Sequence, residues 1–375
     1  MNGLHKIRIL DTLREIPAQS WNQLAGDVPV LCHEYFSALH ETGCACPQTG
    51  WNPRFITLWQ NDKLAGAMPL YLKTHSYGEY VFDWTWADAY RRSGHCYYPK
   101  LLCAVPFTPI TGKRLLAKTV EQKSLMLNAA LKLGRESGAS SLHCLFPQDA
   151  DARHMESLGL LLREGVQFHW QNPGYRNFDE FLETLNHRKR NNIRLERRKL
   201  RESGITCEWL EGFAIGAADW KFFTTCYNRT YQEHFSTPYL NLEFFIRLGE
   251  TIPQHLLLII ARRDGERLAA ALNFQSRERL YGRYWGALEF VPGLHFETCF
   301  YQSIEFCIAR GIRFFEGGAQ GEHKLARGFL PVKTWSAHWL AHPQFAQAIE
   351  KYLDEETSGI AHYIDELTEH SPFKR

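Results

Sequence analysis

Segments of this chain echo one another at a spacing that constrains its architecture more than any single motif. Ile56–Leu72 reads ITLWQNDKLAGAMPLYL and Leu258–Phe274 reads LIIARRDGERLAAALNF. Each is an apolar run, a turn holding an Asp, and a second apolar run rich in Ala. Leu127–Phe146 and Tyr301–Gly318 both read as a helical stretch, a glycine stop and a strand, and Gly159–Trp170 and Gly328–Trp339 both end in His-Trp. A period of about 170 to 200 residues is too long for a solenoid unit and is the size of a domain. The spacing therefore predicts two copies of one α/β domain in 375 residues.

Composition supports a folded chain and excludes several classes. With 45% hydrophobic and 14% aromatic residues, each copy can bury a core. The 43 basic residues nearly balance 41 acidic ones, so any basic function must be local. The longest strongly apolar run, Leu256–Ala261, is far short of the roughly 20 residues that span a bilayer. The early basic residues lack an apolar core behind them, so no signal peptide is expected and the expected compartment is the cytoplasm. Ten cysteines without a Cys-x-x-Cys pair are read as reduced, and no metal is expected despite Cys44-x-Cys46 and the adjacent His143 and Cys144.

Along the chain, HKIRIL reads as a strand and Phe55–Gln60 with Leu64–Lys73 as a hairpin closed at Asn61-Asp62-Lys63. A strand over Tyr80–Trp84 leads into an insertion at about 85–116 that has no counterpart in the second copy and reads as a loop with its own job. Helix Glu121–Glu136, strand Ser141–Phe146, helix Ala150–Gly159 and strand Val166–Trp170 follow. Gln171-Asn172-Pro173-Gly174 is the boundary, which gives domains of 1–172 and 173–375. The second copy opens with a basic helix, then helix Ala217–Phe235, antiparallel strands His255–Arg262, Arg267–Gln275 and Arg279–Trp285, helix Phe296–Arg310, strands Arg313–Glu316 and Thr334–Leu340, and a helical tail. Hairpins followed by helix and strand predict an α/β (α+β) class with mixed, mainly antiparallel sheets flanked by helices.

This order of elements resembles the GNAT acyltransferase fold, and duplicated GNAT domains joined by a basic helix resemble the FemABX aminoacyltransferases. The strings YVFDWTWADAY, YYPKLLCAVPFTPITGKRLL, Asn186–Arg194 and LHFETCFYQSIEFCIARG with FEGGAQGEHKLARGFLP are similar to the FemAB-like family of N-acyltransferases of the peptidoglycan biosynthesis or recognition type. The resemblance implies two tandem GNAT-like domains, an amine-bearing small molecule or peptidoglycan precursor as acceptor, and acyl-CoA, an acyl-carrier protein or aminoacyl-tRNA as donor. One departure bears on the donor. GNAT domains that use acetyl-CoA carry an Arg/Gln-x-x-Gly-x-Gly/Ala turn whose amides hold the pyrophosphate. Here that place reads ALEFVPGLHFETCF, which shifts weight toward aminoacyl-tRNA or a carrier protein.

Acyl transfer to an amine needs a proton acceptor, donors for the oxyanion and an anchor for the carrier. His295 or Glu297, at a strand-to-helix turn, is one choice of proton acceptor; the other reading has Glu297 favour the helix N-terminus and His295 cap the turn. Glu316-Gly317-Gly318-Ala319-Gln320-Gly321-Glu322-His323-Lys324 places three glycines among polar residues, which opens the backbone to a ligand. His323 and Glu322 are read as acid or base, with Lys324 and Arg327 holding an anion, against the alternative of an ordinary glycine-rich turn. In the insertion, Thr108, Thr111, Gly112, Lys113 and Arg114 form a candidate phosphate or carboxylate cradle, or else a strand turn. Asp83, Trp86 and Asp88 mix rings with carboxylates as sugar or amine sites do; core packing is the other reading.

The helix His187–Arg201 carries eight Lys/Arg and one Glu. Arg188, Lys189, Arg190, Arg194 and Arg197 are candidates for a polyanion such as tRNA, an acidic carrier protein or a lipid diphosphate, the alternative being a solvated face. The sequence thus points to an N-acyltransferase, with a non-catalytic module recognising a cell-wall precursor or RNA as the alternative.

Overall fold

Two-residue loops with positive φ at both residues close the two echoed hairpins. Asn61 and Asp62 take 49° and 57°, and Asp264 and Gly265 take 50° and 89°. That is the backbone of a type I′ turn, whose twist matches the strands it joins. The computed structural model describes residues 5–318 and 321–374. Its strands are β1 (His5–Leu10), β2 (Trp51–Pro53), β3 (Phe55–Gln60), β4 (Lys63–Met68), β5 (Leu70–Lys73), β6 (Lys100–Cys103), β7 (Leu116–Ala117), β8 (Ser141–Leu145), β9 (Leu161–Gln171), β10 (Ile205–Glu211), β11 (Leu256–Arg263), β12 (Glu266–Gln275), β13 (Arg279–Ala287), β14 (Phe314–Glu316) and β15 (Leu330–Leu340).

The chain divides into two units. The first runs to Gly165 and includes Lys333–His362; the second is Val166–Val332 with the residues from Tyr363 onward. This differs from a division at 172/173, which placed everything after the boundary in the second domain. The reason lies in the two long strands, because Ser336–Leu340 of β15 pair with β8 in the first unit while His169–Gln171 of β9 pair with β14 in the second. Each sequence half therefore lends its last strand to the other half's sheet.

In the first unit, one sheet has the order β1-β3-β4-β7 and the other the order β15-β8-β6-β5-β2, with β6 and β8 parallel. The Val120–Glu136 helix starts at a capping box, Thr119 accepting from the Gln122 amide, and packs Met126, Leu127 and Ala130 into the core. Tyr80–Trp84, expected as a strand, is instead irregular chain running into a helix over Trp84–Arg92. Its Asp83 is drawn to a buried lysine rather than to a neighbouring strand.

In the second unit the order is β10-β11-β12-β13-β14-β9, all antiparallel except β13 with β14. β11 reads LLLIIARR and is buried on both faces, which is why it shows a continuous apolar run. Leu257 and Ile259 meet Ile304 and Phe306 of the Gln302–Arg310 helix. On the opposite face the Ala217–Glu233 helix lies so close that a Cβ on Gly286 would stand 2.0 Å from the Cys226 carbonyl oxygen. Neither backbone can yield cheaply, so Gly286→Ala is expected to cost about 3 kcal/mol, measured as a shift in denaturation midpoint. Among the described residues, no helix is long and apolar enough to cross a membrane.

Candidate functional site

In the second unit β13, nine residues long, runs on past its short parallel neighbour β14. All three residues of β14 pair, with Arg279, Leu280 and Tyr281, and β14 then ends at Glu316. The β12 ladder skips Arg283, pairing Leu272 with Tyr284 and Asn273 with Gly282. Such a bulge re-aims a side chain beside a site.

The chain leaving β14 stays beside β13, a Cβ on Gly318 standing 3.8 Å from the Gly282 carbonyl oxygen. A Cβ on Gly317 would stand 2.8 Å from the Phe329 ring, and Gly318 takes a φ of 89°, so both glycines are required by space and conformation. Lys324 is 4% exposed and donates to the Gly318 carbonyl at 3.0 Å. Burial, with the charge of Arg283, lowers its ammonium to about 8. Glu316 is also buried. Arg279 Nη1 donates to its Oε1 at 3.0 Å, while Oε2 has no hydrogen-bond partner among the described residues. Burial raises this carboxyl to about 7, against the pull of Arg279. His169, opposite Glu316 in the ladder, is held down to about 3 by burial and by Arg279 and Lys324. β14 and the turn after it thus hold a buried glutamate and a buried lysine that both change charge near neutrality, the property expected of groups that move protons or stabilise charge.

The other residues proposed from the sequence in this region are placed differently. His295 packs its ring 5.2 Å from Trp285 and 5.4 Å from Phe300. Burial, then the nearby charges, hold it at about 4, so it is a packed neutral ring and a weak base. Glu297 is saturated: Arg197 grips it from Nη2 at 2.8 Å and Gln302 donates at 2.8 Å. The same arginine reaches Glu305 at 2.8 Å. These carboxylates therefore clamp Arg197 of the basic helix to a π-helical turn at Glu297–Tyr301, where neither Glu297 nor Arg197 is free for a substrate. Arg327 stacks 3.3 Å over Phe296 and donates to the His323 carbonyl and to Glu196, so it is structural too. His323 is exposed, its pKa lowered by partial desolvation and by Lys324 and Arg327. Glu322 is exposed and accepts from Tyr363 at 2.8 Å. Gly321 has a φ of 115°. Gln320 lies outside the described residues.

On the basic helix, Arg194 pairs with Asp179 at 3.3 Å. Arg194, Arg198 and Arg201 line a groove of about 650 Å³ floored by Phe178 and Leu182. Arg188 is exposed on the first turn, while Lys189 and Arg190 are half-buried there, behind an Asn186 side-chain cap on the Lys189 amide.

The expected cradle in the first unit does not form. Arg114 is fully buried and gives its guanidinium to the carbonyls of Leu145 at 2.6 Å and Ile110 at 2.7 Å. Lys113 donates to the Leu24 carbonyl, Thr108 lies 3.5 Å from the Tyr35 hydroxyl, and Gly112 is hydrogen-bonded to Phe146. Only the buried Thr111 hydroxyl has no partner. A cation whose donors already meet backbone oxygens has none left for an anion.

Trp86 packs edge-on at 4.9 Å against His338, and Asp88 pairs with Arg91 and Arg92 on the surface. Asp83 alone of that trio joins a polar cluster. Lys100, fully buried, donates to Asp83, to Glu79 at 2.9 Å and to Ser76 at 2.7 Å. Tyr97 donates to Asp83 at 2.6 Å and lies 3.0 Å from His143, whose Nδ1 is 2.7 Å from Nδ1 of His338. Sequence reasoning missed Lys100, Glu79 and Lys73. Lysine sitting inside otherwise apolar strands, YLK and KLLC, was the available signal.

Comparison with known proteins supplies the family and the fold. The FemAB-like family profile, described as peptidoglycan biosynthesis/recognition, matches residues 12–375. No curated protein matches. The crystal structure of FemX superposes with a TM-score of 0.57 at 13% identity, covering 89% of this chain and 98% of that one. L-PGS from Bacillus licheniformis gives 0.55 at 10%, covering 89% and 94%. The C-terminal domain of a lysylphosphatidylglycerol synthetase from Agrobacterium fabrum gives 0.54 at 9%, covering 88% and 94%. At these identities the likeness is one of fold, and it agrees with the tandem GNAT-like class.

Proposed function

Because the chain belongs to the FemAB-like family, we propose that it is an N-acyltransferase moving an acyl or aminoacyl group from an activated donor to an amine, in cytoplasmic metabolism of a peptidoglycan precursor. The observation that carries this reading is the presence of buried Lys324 and Glu316, the one just after and the other at the end of β14. Transfer requires an amine nitrogen to attack a carbonyl carbon, the carrier oxygen or sulfur to leave, and the amine proton to be taken away. Lys324 supplies a buried positive charge for the developing oxyanion, where low polarity strengthens it. Glu316, with a free oxygen and a carboxyl raised to about 7, takes the proton. Gly317 and Gly318 let the substrate lie against backbone. Arg188, Lys189, Arg190, Arg198 and Arg201 are the proposed anchors for a polyanionic donor.

The proposal fixes the pH dependence. Glu316 must be ionised and Lys324 charged, so the rate is expected to rise through about 7 and fall through about 8. Lys324→Arg, whose charge persists to far higher pH, is expected to remove the alkaline fall. Glu316→Gln is expected to remove the acid limb along with most of the rate. The test of the function itself is incubation with acyl-CoA, acyl-carrier-protein and aminoacyl-tRNA donors plus an amine extract, followed by mass spectrometry of donor loss. Consumption of one donor class supports the reading; consumption of none favours a module that recognises a precursor without catalysis.

A further inference from the structure

The first unit contains a buried polar cluster with more hydrogen-bonding capacity than its own residues fill. Lys73 and Lys100 are directly opposite one another in the β5–β6 ladder, and both are fully buried. Cross-strand neighbours on one face stand about 5 Å apart at Cβ, where like charges repel. Lys100 is balanced by Glu79 and Asp83. Among the described residues no carboxylate hydrogen-bonds Lys73. Its ammonium donates to the Tyr77 carbonyl at 3.2 Å and lies 3.6 Å over the Trp51 ring.

The carboxylates are incomplete as well. Glu79 Oε1 and Asp83 Oδ1 are buried without a hydrogen-bond partner among the described residues, although Oε2 and Oδ2 of the same groups are engaged. Among the described residues the cluster therefore presents two acceptors lacking a donor, and an ammonium on which Glu79 and Asp83 act only through space, without a hydrogen bond. Buried groups of this kind are ordinarily satisfied. The two acceptors call for an N–H-rich cation; an ammonium with no carboxylate hydrogen-bonded to it calls for one.

We propose that this cluster is a binding site for a free α-amino acid, with Glu79 and Asp83 receiving the ligand's ammonium and Lys73 its carboxylate. The ligand is electrically neutral overall, so it completes the cluster without adding net charge to the interior. Its entrance is the segment between β5 and the Trp84–Arg92 helix. That segment supplies the Tyr77 carbonyl bound by Lys73 and carries three exposed aromatic side chains, Tyr77, Phe82 and Trp84. Tyr77 and Trp84 touch each other at 5.3 Å, forming an aromatic rim of the kind that shelters ammonium groups. The site is independent of the transfer chemistry proposed at Lys324, and binding is measured without any donor present.

The test is titration calorimetry of the full chain with L-alanine, L-alanine methyl ester and propionate. L-alanine is expected to bind, with the ester and propionate each at least tenfold weaker. Lys73→Met is expected to abolish the preference for L-alanine over its ester. Asp83→Asn and Glu79→Gln are expected to weaken both ammonium ligands at least tenfold. Circular dichroism checks folding of the buried variants. Trp84→Ala, an exposed change, provides a reading that does not disturb the core and is expected to weaken L-alanine severalfold. Absence of binding at about 10 mM, where even a weak millimolar site would be occupied, overturns the proposal and leaves water as the occupant. Binding that none of the four variants alters overturns it equally.

Discussion

Lys324→Met is expected to lower the transfer rate about 100- to 1,000-fold, the usual consequence of removing one preorganised donor to an oxyanion. The loss should appear in kcat, with KM changed little, because the charge on the substrate carbonyl develops in the transition state. Stability should move the other way. The Lys324 ammonium is held at about 8 in the fold against 10.5 for a solvated lysine, chiefly by burial. A base whose pKa is lowered by folding contributes stability above its unfolded value and loses it as pH falls through the folded one. At pH 7 its charge is therefore a cost to the fold, and methionine relieves it. A variant that is inactive and no less resistant to denaturant is the expected outcome; a rate within threefold of the parent would remove Lys324 from the chemistry.

Lys100→Met is expected to destabilise the first unit by about 3–5 kcal/mol, because it leaves two buried carboxylates without their shared cation. The pH dependence separates this cause from simple loss of packing. Burial raises the Asp83 carboxyl, but Lys100, followed by His143, overrides it and brings the group to about 2, against 3.8 for a solvated aspartate. An acid with a depressed folded pKa contributes stability above its unfolded value and loses it as pH falls through the folded one. Without Lys100, burial leaves both carboxyls above their free values, so the deficit of Lys100→Met should be largest at neutral to alkaline pH and shrink steadily as pH falls to about 2, in denaturation followed by tryptophan fluorescence. A deficit constant across that range would assign the effect to packing.

The local features of the fold were legible because they are set by neighbours in sequence. The Asn61-Asp62 and Asp264-Gly265 loops, the Thr119 cap and the glycine-rich run after β14 are of this kind. The cluster around Lys100 was not legible, since its partners lie 17 and 21 residues away and the His143–His338 contact joins residues 195 apart. Glu297 illustrates the same difficulty at the candidate site. Its sequence neighbours gave it the look of a free base at a helix start, while the arginine that saturates it stands 100 residues upstream. Lys324 and Glu316 were both within the glycine-rich run. What the sequence lacked was their burial, which shifts both pKa values and separates them from the exposed Glu322 beside them.

The exchange of final strands between halves also has a consequence for synthesis. Strand β8 acquires its β15 neighbour only when residues 336–340 have been made, and the first unit is closed only at His362. At about 5–20 residues per second, some tens of seconds of translation separate Gly165 from that point. The second unit waits still longer, since Phe373 bridges to Leu185 and the Lys374 amide reaches the Thr184 carbonyl. Neither unit can mature while the ribosome is mid-chain, so a nascent chain stalled between 172 and 332 exposes an unpaired β8 edge and is a natural client for chaperones or proteases.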